Sequence, residues 1–245
     1  MRSTGQVIRL CDRSYIMLKS ELVSKNPLRA FDQNHDGGLA PGQTGLIAAR
    51  AGTGKTAMLI QIALDNLFRG NTVLHVSIGE TVSHVQAWYE EIYRDLALGY
   101  DLEMARNVWE EAVTNRLILT FRNNVFSVET LKERLSDLVE QNIFSPRVVL
   151  IDGVDLHKQS RELLDSLRAY TRESGLKTWV ATRTHREDGE LKEMVSPIED
   201  LFDVIVGIEP NSNGLSLSAY KNPSAKEGEE VSVTLDPKTL LLSTK

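Results

Sequence analysis

The stretch LIAARAGTGKTAM, Leu46 to Met58, carries Gly52, Thr53, Gly54, Lys55 and Thr56 in succession, between an apolar run and a helical pattern. An anion cradle is built this way: a strand, a tight turn with exposed backbone N–H groups, and a helix whose positive end faces the charge. Gly52 and Gly54 permit left-handed backbone and close approach to a ligand. Lys55 has the reach for β- and γ-phosphates, and the Thr56 hydroxyl is a magnesium ligand. The spacing G-x-x-x-x-G-K-[ST] is met except at its first position, which is Ala49. Arg50, Ala51, Gly52, Thr53, Gly54, Lys55, Thr56 and Ala57 are therefore read as a nucleoside-triphosphate loop.

Binding a phosphate is not hydrolysis, which also needs a positioned Mg²⁺ and an oriented water. In RVVLID the apolar run from Val148 ends at Asp152, so a carboxylate leaves a buried strand where it can hold a metal beside Thr56. Glu80, in HVSIGET, follows a second strand expected beside the loop strand, and is read as the general base. Thr182 and Arg183, closing TWVATR, are read as sensors of the terminal phosphate. His35, His75, His84, His157 and His185 have no metal-ligand spacing with one another or with Cys11, which argues against zinc.

These residues need elements to hold them. Apolar runs of strand length alternate with segments of helical period, the pattern of a largely parallel sheet flanked by helices. Strands are expected at Thr44–Ala49, Asn71–Ile78, Leu117–Phe121, Arg147–Asp155 and Lys177–Thr182. Between them run helical patterns: the segment after Lys55 up to Gly70, a face of Val85, Trp88, Tyr89, Ile92 and Leu96 read as core, and another of Ala105, Val108, Trp109, Ala112 and Val113. Ser127 is the expected cap of a helix facing inward through Leu131, Leu135 and Leu138, and Gly175 the stop of the helix before Lys177. After Leu201 short strands follow one another, with Leu215, Leu217 and Ala219 alternating as in an antiparallel strand that extends the same sheet. Residues 183–194 and 221–230 are polar, charged and aperiodic, and are read as surface loops.

The chain has 245 residues, 41% hydrophobic and 25% charged, which suits one globular α/β unit. Residues 1–25 are taken as an N-terminal segment whose SYIMLKSEL is a possible docking helix for a neighbour, and 26–245 as the main domain. A net charge of −6 argues against affinity through a diffuse basic surface. The single cysteine, Cys11, allows no intrachain disulfide, and no apolar run of bilayer length or signal-peptide form is present, so a cytoplasmic protein is expected.

With these residues in place the chain resembles RecA-like P-loop ATPases, in the branch of DnaB-type helicase cores and KaiC-type ATPases. IAARAGTGKTAMLIQIAL is similar to the helicase loop, VLHVSIGET to the strand delivering the catalytic glutamate, VVLIDGVDL to the Walker B strand and TWVATRTHR to the sensor strand. NPLRAFDQNHDGGLAPGQTGLIAARAGTGKT resembles the KaiC-type entry, and the likeness covers roughly residues 26–242. It implies a RecA-like α/β fold, ATP and Mg²⁺ as ligands, Lys55 and Thr56 on phosphate and metal, Glu80 as base, Asp152 on the metal, and a homo-oligomer with nucleotide at the subunit boundary. Gly79 stands where the helicase pattern has its glutamate, Arg183 where it has glutamine, and Lys221, with Lys226 beyond it, where a neighbour-reaching Lys and Arg belong.

The expected function is a Mg²⁺-dependent ATPase coupling nucleotide state to assembly or to a protein partner. The alternatives are an ATP-gated interaction protein without hydrolysis, and a DNA-associated motor using Arg183, Arg186 and Lys192; the acidic EDGE beside these basic residues disfavours nucleic acid. No membrane association is expected.

Overall fold

The computed structural model describes residues 15–26, 38–122, 125–155, 161–184, 191–211, 214–222 and 233–244. Cys11, His35, His157, His185, Arg186 and Lys226 lie outside them, as do most of the two expected surface loops.

Among the described residues nine strands form one sheet: β1 (Thr44–Arg50), β2 (Val73–Ile78), β3 (Arg116–Phe121), β4 (Val148–Asp155), β5 (Lys177–Thr184), β6 (Val204–Asn211), β7 (Gly214–Lys221), β8 (Val233–Leu235) and β9 (Leu242–Thr244). Their spatial order is β3-β2-β4-β5-β1-β6-β7-β8-β9. The first six in that order are parallel, and β7, β8 and β9 continue antiparallel, as expected of the C-terminal strands.

The helices are α1 (residues 15–24), α2 (Lys55–Phe68), α3 (Val82–Leu96), α4 (Leu102–Thr114), α5 (Val128–Glu140), α6 (Arg161–Ser174) and α7 (Leu191–Val195), with a 3₁₀ turn at Ser196–Leu201. Their starts are written in the sequence: the side chains of Thr81, Asp101 and Ser127 accept from the backbone N–H groups of His84, Glu103 and Met104, and Thr130. Gly175, at φ 68°, follows the end of α6 as expected.

Successive residues of a strand point to opposite faces, so a sheet covered on both sides carries two cores. Ile47 and Ala49 of β1 pack with α2, α3 and α4, whereas Leu46 and Ala48 pack with α5, α6 and α7. Part of the apolar surface of α1 is used within the chain, where Leu18 and Leu22 join the first core and Lys19 pairs with Glu111 of α4 at 2.8 Å, whereas Ile16 and Met17 are exposed.

Four expectations are corrected. β2 does not lie beside β1; the α2 crossover carries the chain past β5 and β4, and β2 pairs with β4 and β3. Asp152 does not stand at the end of β4: the strand runs to Asp155, its expected extent, through a register shift at Gly153, whose φ of 96° breaks the pleat. β5 likewise runs to Thr184, two residues past Thr182. Part of the segment read as a loop, Leu191–Val195, is helical, with Leu191 and Val195 buried in the second core.

Candidate functional site

At the C-terminal ends of β1, β2 and β4 lies a cleft of about 390 Å³, in the position where open α/β sheets bind ligands. Its walls include Ala51, Gly52, Gly54, Lys55, Thr56 and Ala57 from the loop and α2, Glu80 from the turn before α3, His84 from α3, and Asp152 with Gly153 from β4. A larger groove of about 710 Å³ lies between α5 and α6. It contains none of the residues selected for their chemistry, so size does not identify the site.

The loop is held open by its own backbone. Lys55 Nζ donates to the carbonyls of Ala49 at 2.8 Å and Arg50 at 2.7 Å, and Thr53 Oγ1 donates to the Arg50 carbonyl at 2.6 Å. Gly52 and Gly54 adopt φ of 78° and 85°, and no atom lies within 4 Å of where a Gly52 Cβ would stand. Gly54 is the N-cap of α2, and it offers no side chain to the first N–H groups of that helix. Those groups are among the donors an α-helix cannot satisfy internally, and they face the cradle with the positive end of the dipole. No acidic residue occupies the first turn of α2 to compete for that position.

Across the cleft, Thr56 Oγ1 donates to Asp152 Oδ2 at 2.6 Å. A hydroxyl and a carboxylate are hard oxygen donors suited to Mg²⁺, which keeps several of its waters and takes few protein ligands. An open cradle for an anion and this oxygen pair beside it fit a Mg²⁺-nucleotide.

Glu80 lines the same cleft although its strand is three positions from β1, because β2 and β4 are neighbours in register at Ser77 and Asp152. The chain turns from β2 to α3 through Gly79, φ 94°, whose N–H donates to the Phe121 carbonyl at 2.9 Å. A Cβ on Gly153 would come within 2.5 Å of the Ile78 carbonyl oxygen. Gly153 thus lets the ends of β2 and β4 approach more closely than a residue with a side chain could, and Gly79 takes the left-handed turn that precedes Glu80.

The other expected site residues stand outside the cleft. Arg50 is exposed at the end of β1, and Arg50 and Thr53 brace the loop instead of lining it. Thr182 is buried and its hydroxyl donates to the Val154 carbonyl at 3.0 Å, so it serves the β4–β5 junction. Arg183 pairs through its backbone with Ala49 and Asp155, and its side chain is outside the described set. Lys221 donates to the Glu199 carbonyl at 3.0 Å.

The structure adds residues that the sequence did not single out for the site. Trp88, expected in the core face of α3, is only half-buried and lines the cleft with His84. Leu240, from the turn between β8 and β9, closes another side, and a Gly54 Cβ would lie within 2.4 Å of Leu235 Cδ2. That turn is tied to α2 by the buried Gln61, which donates to the Leu240 carbonyl and accepts from the Leu242 N–H, both at 2.8 Å. The spacing of His84 and Trp88 at i and i+4 was a usable sign of a shared helix face; the contact between Gln61 and a segment about 180 residues away had none.

Comparison with known proteins agrees with the geometry. The family model described as "ATPase: KaiC" matches residues 25–184, which takes in α2, β2 and both acids of the cleft. No curated protein matches the chain.

Proposed function

Because the chain belongs to the KaiC ATPase family, a RecA-like class of nucleotide-binding ATPases, we propose that it binds ATP with Mg²⁺ in this cleft. We further propose that it hydrolyses the γ-phosphate with the residues assembled there, and that nucleotide state governs its self-assembly or its hold on a protein partner. The observation that carries the reading is the Thr56–Asp152 hydrogen bond of 2.6 Å beside an uncapped helix N-terminus.

In this reading the N–H groups at the start of α2 and the Lys55 ammonium bind the β- and γ-phosphates, for which Lys55 exchanges its two loop carbonyls. Thr56 and Asp152 would hold the metal, which would supply positive charge against the phosphate in the transition state. Glu80 orients the attacking water and takes its proton. Lys221 would act toward a neighbouring copy, with the nucleotide at the boundary between subunits.

The test is ATP binding by calorimetry and steady-state phosphate release, with and without Mg²⁺. Lys55→Ala is expected to lose ATP affinity. Glu80→Gln is expected to keep it and to lose roughly 10²–10⁴ in turnover, the usual contribution of a placed base; chelation of Mg²⁺ is expected to stop turnover. Light scattering with and without ATP reads assembly. Turnover unaffected by Lys55→Ala would refute the site, whereas binding without hydrolysis in any condition would make the protein a nucleotide-gated interaction module.

A further inference from the structure

Glu80, just ahead of α3, and His84 and Trp88 on the first turns of that helix put three polar groups on one wall of the cleft. Glu80 Oε2 lies 3.9 Å from His84 Nε2. The same nitrogen lies 3.2 Å from Trp88 Nε1, whose N–H points to it. All three residues line the cleft that contains Lys55 and Asp152.

An indole N–H only donates, and an imidazole nitrogen accepts only when it carries no proton. The Trp88 contact therefore requires a neutral His84 ring with its proton on Nδ1. A carboxylate facing the lone pair of Nε2 gains nothing from it, so in this state Glu80 has no donor in His84. The 3.9 Å separation, too long for a hydrogen bond, is what such a pair should show. If the proton moves to Nε2, the two contacts exchange: His84 donates to Glu80, and the indole N–H loses its acceptor.

We propose that His84 is a positioning residue for Glu80, set by Trp88: the indole hydrogen bond holds the imidazole in the tautomer that leaves the carboxylate free to address water. The proposal rests on Glu80 acting as the base. A Glu80 held by His84 would be turned from the water and would already have a proton donor, and both effects slow proton transfer. No other polar side chain of α3 competes for this nitrogen among the described contacts of His84.

Two measurements on the full chain test this. Nitrogen-15 imidazole spectra at neutral pH are expected to show His84 protonated on Nδ1, and the Trp88 indole proton resonance should move in His84→Ala. A proton on Nε2, or an indole resonance indifferent to His84→Ala, would overturn the proposal without any appeal to turnover. In kinetics, Trp88→Phe keeps the ring and removes the donor. It is expected to lower kcat about tenfold, part of what a placed base supplies, while KM for ATP stays within about twofold because phosphate binding is unaltered. Adding His84→Ala to Trp88→Phe is expected to recover most of the loss, a rescue that simple damage to packing would not give. If Trp88→Phe leaves kcat unchanged, or if the double variant recovers nothing, the positioning role is wrong. Glu80→Gln turning over like the wild type would instead overturn the base assignment, and the positioning role with it.

Discussion

His75 sits in the middle of β2, fully buried, with Nδ1 3.0 Å from the Tyr89 hydroxyl. Its Nε2 has no hydrogen-bond partner among the described residues. Burial pushes the imidazole down to about 3 from 6.5, and the Arg116 guanidinium nearby adds to the effect. Arg116 itself is stacked 4.2 Å over the Tyr89 ring, so the charge cannot easily move away.

Between these two values the unfolded chain takes up a proton and the native one does not, so stability is lost as pH falls below about 6.5. One proton corresponds to about 1.4 kcal/mol per pH unit, hence roughly 2–3 kcal/mol between pH 6.5 and 4.5. His75→Leu removes the titrating group at similar volume. It leaves the Tyr89 hydroxyl without its partner, which costs about 1–3 kcal/mol at every pH. Urea denaturation of both proteins from pH 7.5 to 4.5 should therefore show the variant less stable near neutrality, with the gap closing or reversing on acidification. Carboxylates held low by distant partners, such as Asp200 beside Arg161, act on both proteins alike and cancel in the difference. Parallel stability curves would refute the argument, because they would mean that His75 can be protonated in the native state without penalty.

Three further outcomes follow from the packing. Gly153→Ala places a Cβ within 2.5 Å of the Ile78 carbonyl at φ 96°; it should cost about 2–3 kcal/mol in urea denaturation, and reduce turnover more than ATP affinity because Glu80 follows Ile78. Gln61→Met leaves the Leu240 carbonyl and the Leu242 N–H without the side chain that binds them; a loss of about 2–4 kcal/mol is expected, with faster hydrogen exchange in β8 and β9. Thr56→Ala removes the hydroxyl 2.6 Å from Asp152; calorimetry should show weaker ATP binding with Mg²⁺ and little change without it.

Much of the fold was legible because its signals are local. The succession from Leu46 to Met58 fixes a strand, an anion loop and a helix start through backbone chemistry alone. The order of strands and helices followed from apolar runs, and Ser127 and Gly175 marked helix ends because caps and left-handed turns depend on one residue type. Asp152 and Glu80 could be picked out as candidates because each is the first acid after an apolar run of strand length, although Asp152 proves to lie within β4 and not at its end.

What needed the tertiary structure is adjacency. The α2 crossover could have set β2 beside β1; it is the sheet order that puts β2 next to β4 and so brings Glu80 toward Asp152. Thr182 reads as a sensor at a strand end, but the bulge at Gly153 turns the Val154 carbonyl to its hydroxyl and claims it for the sheet. Trp88 falls on the apolar stripe of α3 by period, yet it stands at the cleft edge, where its N–H finds His84. Gln61 and Leu240 meet across nearly the whole chain. Pattern and propensity act over a few residues along the chain, whereas these contacts depend on which surfaces remain to be covered once the sheet has formed.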